Sequence, residues 1–580
     1  MARLTVDQKS IMDLFQNEKA DFLIPDYQRP YAWGENECET LWNDIFAFAF
    51  PDNDRTKFNP KKDEYFLGPI VTFKNADEKL EIIDGQQRLT TLMLLLRAFY
   101  DKFVNMMDND SQKAREAIAK CIWKFDELGN PDTDTPKIDS QVATDNDKEE
   151  LIAILKSGQT DSRQKSRYAE TYRFFLDKIK DFQDRFPGYF VYLPNRILRY
   201  CILLPIEADG MDTALRIFST LNNRGKPLSD ADIFKAEFYK YFSKTGEKDE
   251  FIARWKALEE ATGKIFRPLN GTPMDELFTR YMYYVRALQK NKNTTTEALR
   301  KFYEKDNYAL LKNEGTLKNL ERLAAFWNDV ADQNRERFSE QVLRRLYVLN
   351  YAPNSMWTAF VSVYFLTNST TDDQLDNDRF ADFLDKTTAF IWAYSLTNPG
   401  VNALRTPLYA EMVNLAEGKE ATFAGSRFDA TQLRNIIDNY KFLNNRAITK
   451  AILTWWAFRD SDQQLLRLET PMETEHIYAR NRYGHEQSLS DKTLVESLGN
   501  KAILEKHINI RASDYRFADK AKYYRGYRTP KGVETEGTQV AELRTMADTR
   551  QDFGEEDIKA RYTAIVDAFL ACLDSQNLLA

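Results

Sequence analysis

The chain has 580 residues and a mass of 67.8 kDa, with 43% hydrophobic and 29% charged residues and a formal net charge of −8. One hydrophobic core rarely serves so long a chain, so roughly two to four globular domains are expected. The acidic balance argues against uniform coating by nucleic acid but leaves room for a local basic surface.

In chain order, the first residues, MARLTVDQKSIMDLF, lack the uninterrupted apolar core of a secretory signal. Residues 5–8 match a capping box and predict a helix through Phe15. Residues 22–24 form a predicted strand stopped by Pro25, and 34–48 read as helical. Two strands are predicted at 70–73 and 80–83 around a polar turn, followed by a long apolar helix over 89–103. Residues 127–149, rich in Asp, Thr, Asn and Pro, predict an exposed or disordered excursion. Residues 201–206 suit a strand, 211–221 a helix, and 229–232 a cap that opens a helix through Phe242. From 245 to 455 the pattern is almost wholly helical, and aromatic stripes such as 278–288 read as bundle core. The fold class is therefore α+β multidomain and predominantly helical. An α/β N-terminal domain is expected over 1–240, a helical coupling region over 241–455 and a C-terminal domain over 456–580. Cys38, Cys121, Cys201 and Cys572 stand far apart without a CxxC pair, which points to a reducing compartment. No apolar run approaches the ~18 residues of a membrane helix, so a cytoplasmic protein without membrane contact is expected.

Two N-terminal segments are unusual as pure structure: IPDYQRPYAW (Ile24 to Trp33) and IIDGQQRLTTL (Ile82 to Leu92). The second lies where a strand gives way to a helix, a junction with free backbone N–H groups and the positive end of a helix dipole. Arg88 adds a forked guanidinium suited to phosphate. Asp84 suits a divalent metal or an oriented water, and Gln86 and Gln87 suit hydrogen bonds to a nucleotide or to attacking water. A third segment, FSTLNNRG, offers Asn222 and Arg224 beside a flexible turn. The plainer alternative makes Asp84-Gly85 a turn, Gln86 a helix cap and the arginines salt-bridge partners. Neither a Walker A motif nor GxGxxG is present, so P-loop and Rossmann readings lose their support.

All three histidines fall between His476 and His507. Glu475-His476, then Leu498-Gly499-Asn500, then a helix-like stretch with His507 and Asn509, follow the order of a ββα-metal (HNH-like) nuclease. In that chemistry a neutral His takes the proton of attacking water. One divalent cation on oxygen ligands steadies the leaving oxygen, and an Asn fixes the loop carrying the His. The alternative has His476 packing locally, with His485 and His507 on the surface. From 506 to 531, eight Lys or Arg interleave with Tyr515, Phe517, Tyr523, Tyr524 and Tyr527, which suits a nucleic-acid backbone.

The first three segments resemble the ParB-related N-terminal domain of GmrSD-type restriction proteins, and EHI, LGN and Ile508-Asn509 through Lys520 and Tyr523 resemble their His-Me finger nuclease half. The resemblance implies an NTP-binding and NTP-hydrolysing pocket with Tyr27, Gln28, Arg29, Asp84, Gln86, Gln87 and Arg88. It also implies a nuclease with His476 as general base, Asn500 as brace, and Glu475 and Asn509 beside a divalent metal (Mg²⁺ or Mn²⁺). Ala479 departs from a family proline, and Lys501 from a leucine that tends to follow Gly-Asn. The expected activity is NTP-regulated, modification-dependent (type IV) cleavage of double-stranded DNA, modified phage DNA above all. GTP, ATP or another NTP serves as effector, and homo-oligomerisation is left open. The rival readings are a nucleotide-dependent DNA-binding clamp or regulator with a vestigial nuclease, and an interaction protein whose motifs are only helix caps.

Overall fold

A computed structural model describes residues 5–17, 21–142, 147–160, 165–211, 213–214, 217, 229–400, 402–528 and 532–580. The chain divides into two compact units, Met1–Ala257 and Leu258–Ala580. Helices hold 59% of the residues beside small sheets, the predominantly helical α+β class that the sequence predicts.

The first unit is built on a seven-stranded mixed sheet. Its strands are β1 (Thr5–Val6), β2 (Lys9–Ser10), β3 (Phe22–Ile24), β4 (Tyr65–Lys74), β5 (Leu80–Asp84), β6 (Ile138–Ser140) and β7 (Cys201–Ala208). β4 runs parallel to β7 on one side and antiparallel to β5 on the other. β3 lies parallel between β5 and β6, and β1 and β2 edge β7. Helix α1 (Gln86–Phe103) follows β5, and every residue from Leu89 to Phe99 is buried. A helix apolar nearly all round must lie inside its domain.

The fold corrects two expectations. Residues 5–10 supply strands, and the N-cap is Ser10, whose Oγ accepts from the Asp13 amide at 3.0 Å to open the helix Ile11–Phe15. The polar stretch after 127 is not an excursion: it supplies Pro131–Pro136 to a hairpin with Trp123–Phe125, and β6 to the main sheet. Ladder hydrogen bonds are made by backbone, so a strand beside a strong partner survives poor composition. The predicted cap at 229–232 is present, with Ser229 Oγ accepting from Asp232 N at 3.1 Å, and it opens Asp230–Thr245. The helix expected at 211–221 lies largely outside the described residues.

In the second unit, helices follow one another from Pro273–Leu288 to Ala447–Ala457. Phe278, Tyr281 and Met282 of the aromatic stripe are buried as core. The antiparallel pair β8 (Met472–His476) and β9 (Lys501–Glu505) comes next, with His476 opposite Lys501. It leads directly into α2 (Lys506–Ala512), then α3 (Phe517–Arg525) and, near the end, α4 (Glu555–Ser575). Gly499, in the turn entering β9, abuts the backbone of α4. A Cβ there would stand 2.0 Å from the Ile558 carbonyl oxygen, so only glycine fits. No helix among the described residues is long and apolar enough to cross a membrane.

Candidate functional site

Each unit carries one of the motif clusters. In the first, β5 passes into α1 through Gly85, at φ 95°, a left-handed conformation glycine adopts without strain. As N-cap it has no side chain to offer, so the first N–H groups of an 18-residue helix have no side-chain cap. Arg88 Nη1 donates to the Pro69 carbonyl at 2.8 Å. Burial pushes the Asp84 carboxyl upward, against the pull of Arg88, the Gly85 N–H and Arg29. Burial also lowers the Arg88 guanidinium, opposed by Asp84 and Tyr65. Asp84 thus feels both Arg88 and Arg29 at the N-terminus of a helix that has no side-chain cap.

The other N-terminal residues serve a different purpose from the one expected. The Tyr27 hydroxyl donates to Glu81 at 2.7 Å, and Gln28 Nε2 donates to the Ile82 and Ile83 carbonyls at 3.3 and 3.1 Å. Gln86 Nε2 donates to the Arg29 carbonyl at 3.1 Å. Gln87 accepts from the Ala32 amide at 2.6 Å and donates to the Pro30 carbonyl at 3.2 Å. These side chains tie segment 27–32 along β5 and the start of α1. The Gln87 amide has one such bond at each end. Gln28, Gln86 and Tyr27 are buried and bonded in the same lashing, and its effect is to carry Arg29 toward Asp84. Asn222 and Arg224 lie outside the described residues.

In the second unit, His476 ends β8 and is 8% exposed. Burial drops its pKa to about 4, with Lys501 and Arg480 adding to the fall and Glu496 opposing it. The ring is therefore neutral near pH 7. Its Nε2 lies 3.4 Å from Glu496 Oε2 and accepts from Arg480 Nε at 3.3 Å, and Nδ1 has no hydrogen-bond partner among the described residues. The two contacts call for different tautomers: donation to Glu496 puts the proton on Nε2 and leaves Nδ1 a lone pair for water, whereas acceptance from Arg480 puts the proton on Nδ1.

Asn500 is the brace. Its Oδ1 accepts from the Tyr478 amide at 2.6 Å, and its Nδ2 donates to the Tyr478 and Val495 carbonyls at 3.0 and 2.9 Å. Three bonds from one buried amide fix the turn leaving His476. Asn500→Ala leaves these three backbone groups unpaired, so a loss of about 3 kcal/mol is expected, the low end of roughly 1–3 for each buried group. Denaturant titration measures it, and an unchanged midpoint would remove Asn500 from the brace.

The family model for the N-terminal domain of the GmrSD restriction endonuclease matches residues 11–239, and that for the C-terminal domain of GmrSD restriction endonucleases matches residues 429–568. The chain belongs to the GmrSD restriction endonuclease family. It is thus a type IV restriction endonuclease and acts on DNA. No curated protein matches the chain. Both clusters lie inside the matched segments, whereas residues 240–428 lie in neither.

Within this GmrSD framework, the departures from the family pattern acquire reasons. Ala479 stands at φ −65°, the angle a proline would impose. Lys501 is wholly buried, and its ammonium donates to Glu496 Oε2 at 2.5 Å and to the Phe442 carbonyl. Burial pushes the Glu496 carboxyl up, but Lys501, His476 and Arg480 together bring it below its ordinary value. Glu496 was not foreseen. It stands 20 residues beyond His476 in a polar loop, and only the fold brings the two together.

The metal neighbours do not assemble as expected. Glu475 points to the opposite face of β8 from His476, buried. Its Oε1 accepts from Lys520 Nζ at 2.7 Å and the Tyr524 hydroxyl at 2.6 Å, and its Oε2 accepts from the His476 amide at 3.1 Å. A cation at Glu475 would have to displace an ammonium, so Glu475 does not fit a metal ligand. Asn509 meets Glu473 instead, Nδ2 donating to Oε2 at 2.8 Å. Among the described residues no three His, Cys, Asp or Glu side chains converge as a metal cage.

His485 and His507 are both exposed. The basic tract divides by helical face. Phe517, Lys520 and Tyr524 turn inward, while Tyr515 stacks on Tyr523 at 6.0 Å and Tyr523 meets Tyr527 edge-on at 5.3 Å on the outside. Lys520 is corrected from a surface phosphate contact to a buried ion-pair partner.

Proposed function

We propose that this chain is an NTP-regulated, modification-dependent DNA endonuclease of bacterial anti-phage defence, working in the cytoplasm. The observation that carries this reading is a buried, neutral His476 at the end of a braced β-hairpin, with Nδ1 unpartnered. Nδ1 takes the proton of water attacking phosphorus, and Glu496 holds the proton on Nε2. Arg480, its side chain 51% exposed and next to His476, is placed to draw in the scissile phosphate. Asn500 keeps the turn in register and does not meet substrate. An HNH-like centre implies a divalent cation, Mg²⁺ or Mn²⁺, which would neutralise charge on the leaving oxygen. Glu475 does not offer it a ligand. Proton transfer and the capture of phosphate fall to His476, Glu496 and Arg480 themselves.

The corner of Asp84, Arg88 and Arg29 suits the phosphates of GTP, ATP or another NTP in a ParB-like domain. Asp84→Ala and Arg88→Ala are each expected to suppress NTP hydrolysis while leaving the nuclease residues complete. Hydrolysis at the parent rate in both variants would make DGQQR a structural turn. The DNA backbone is assigned to the outer face of the basic tract. Binding should then weaken with salt with a log–log slope near −0.9 per phosphate contacted, and Arg525→Ala with Arg528→Ala should flatten it by roughly one to two units. An unchanged slope would move the DNA elsewhere.

The alternative, a nucleotide-dependent clamp or regulator with a vestigial nuclease, draws support from the engagement of Glu475 by Lys520. One assay separates the two: cleavage of modified and unmodified duplex in Mg²⁺, with and without each NTP and after chelation. Selective, NTP-responsive cleavage supports the endonuclease, and DNA binding without any cleavage supports the clamp.

A further inference from the structure

The second unit holds a cavity of about 510 Å³, lined by no residue of either cluster and largely in the segment that neither family model covers. Phe266, Arg267, Arg280, Trp327, Tyr347 and Trp357 are among the residues lining it. Its size falls in the usual range for small-ligand pockets, roughly 300–1,000 Å³.

Arg280 is the unusual member. Its side chain is more than nine-tenths buried. The guanidinium carbon lies 4.2 Å from the centre of the Phe266 ring and 4.3 Å from that of Trp327, clamped by the two faces. Nε donates to Glu276 at 2.9 Å, but Nη1 is buried and has no acceptor among the described residues. Buried donors are nearly always paired, and one left open in a cavity wall marks where an acceptor belongs. Burial lowers this guanidinium, and Glu276 only partly restores it. The rest of the lining mixes aromatic and aliphatic side chains with Gln333, Asn350, Thr358 and Glu469; Trp357 packs edge-on against Trp327 at 5.6 Å, and the Trp327 indole N–H is already used by Ser362 at 3.0 Å.

Aromatic walls with one unmet guanidinium donor select a planar ligand with an acceptor edge. An aliphatic chain would leave Arg280 unanswered. We infer that this cavity receives a single nucleobase extruded from the DNA duplex, stacked on the tryptophan wall and read through its acceptor edge by Arg280. Exposed Lys264 and Arg267 at the margin suit the flanking phosphates. Intact duplex is too wide to enter, and extrusion exposes the base edge that a modification alters. The inference rests on the modification-dependent reading above, for which it supplies the place where the base is read.

The test uses the full-length protein and a duplex in which cytosines are replaced by 5-iodocytosine, which crosslinks to aromatic side chains it touches under near-ultraviolet light. Binding of the duplex is followed separately by anisotropy. Crosslinks mapped to Trp327, Trp357, Tyr347 or Phe266 are expected, unaffected by excess ATP or GTP. Arg280→Gln should lower their yield roughly tenfold per bound duplex. Bound duplex that crosslinks only elsewhere, or not at all, overturns the inference even if Arg280→Gln fails to fold. Competition by free nucleotide would instead make this an NTP site and equally overturn it. Failure of the duplex to bind at all would sink the DNA-cleaving reading itself, and this inference with it.

Discussion

His476→Ala is expected to lower DNA cleavage by on the order of 10²–10⁴ while leaving NTP hydrolysis nearly intact. The ring is the one side chain in its cluster that combines a neutral state near pH 7 with an unpartnered nitrogen. The nucleotide corner lies in the other compact unit. Full cleavage by the variant would remove His476 from the chemistry, whereas His485→Ala, on an exposed ring, should be nearly silent. The pH profile provides an independent check. Because burial brings His476 to about 4, kcat/KM should stay level from pH 6 to 8 and fall only toward pH 4. An acidic limb near the ordinary imidazole value would mean that the titrating group is a different one. Stability follows the same shift. The folded pKa lies below the unfolded one, so this group's contribution is complete above about 6.5 and is lost as pH falls toward 4.

Lys520→Met should be the most damaging substitution to folding. Lys520 and Glu475 form an ion pair with side chains 1% and 5% exposed, and the same ammonium donates to the His476 carbonyl at 2.6 Å. Removing the cation leaves a carboxylate buried with only the Tyr524 hydroxyl and a backbone N–H, a situation that typically costs about 3–5 kcal/mol. Removing both charges is much less harmful than removing one. Lys520→Met with Glu475→Gln should therefore recover much of the loss, and denaturant titration of the single and double variants reads this directly. Equal destabilisation in both would show that the pair is held by packing alone. Cleavage should fall in the single variant too, since the strand end bearing His476 loses an anchor.

Long periodic elements were legible from the residues. β5 and α1 were predictable because their apolar runs leave no choice of environment, and Ser229 with Asp232 because a capping box is a local device. β6 was not, since its three residues are strand only by virtue of β3 beside them. In the C-terminal cluster, His476 and Asn500 could be picked out by residue type and order. Glu496 could not, because nothing local links it to a histidine 20 residues earlier. Lys501 stood out as a departure from the family, but its meaning depends on Glu496. Lys520 was misread although a signal was present. Phe517, Lys520, Ala521 and Tyr524 have the spacing of one helix face, and two of them are large and aromatic. Counting charge along the tract concealed that this lysine falls on the inward side.

The low pKa of His476 also bears on how a cell tolerates such a protein. A catalytic base with an ordinary imidazole pKa can be partly disarmed by a drop in pH, but on the reading proposed above His476, brought to about 4, would keep its lone pair at neutral and mildly acidic pH. Its readiness is set first by burial, with Lys501 and Arg480 adding to the effect. On that reading, unmodified DNA would be spared only by what is allowed to reach the histidine. Variants that loosen admission, while leaving every reacting group untouched, should be the ones that poison their own cell.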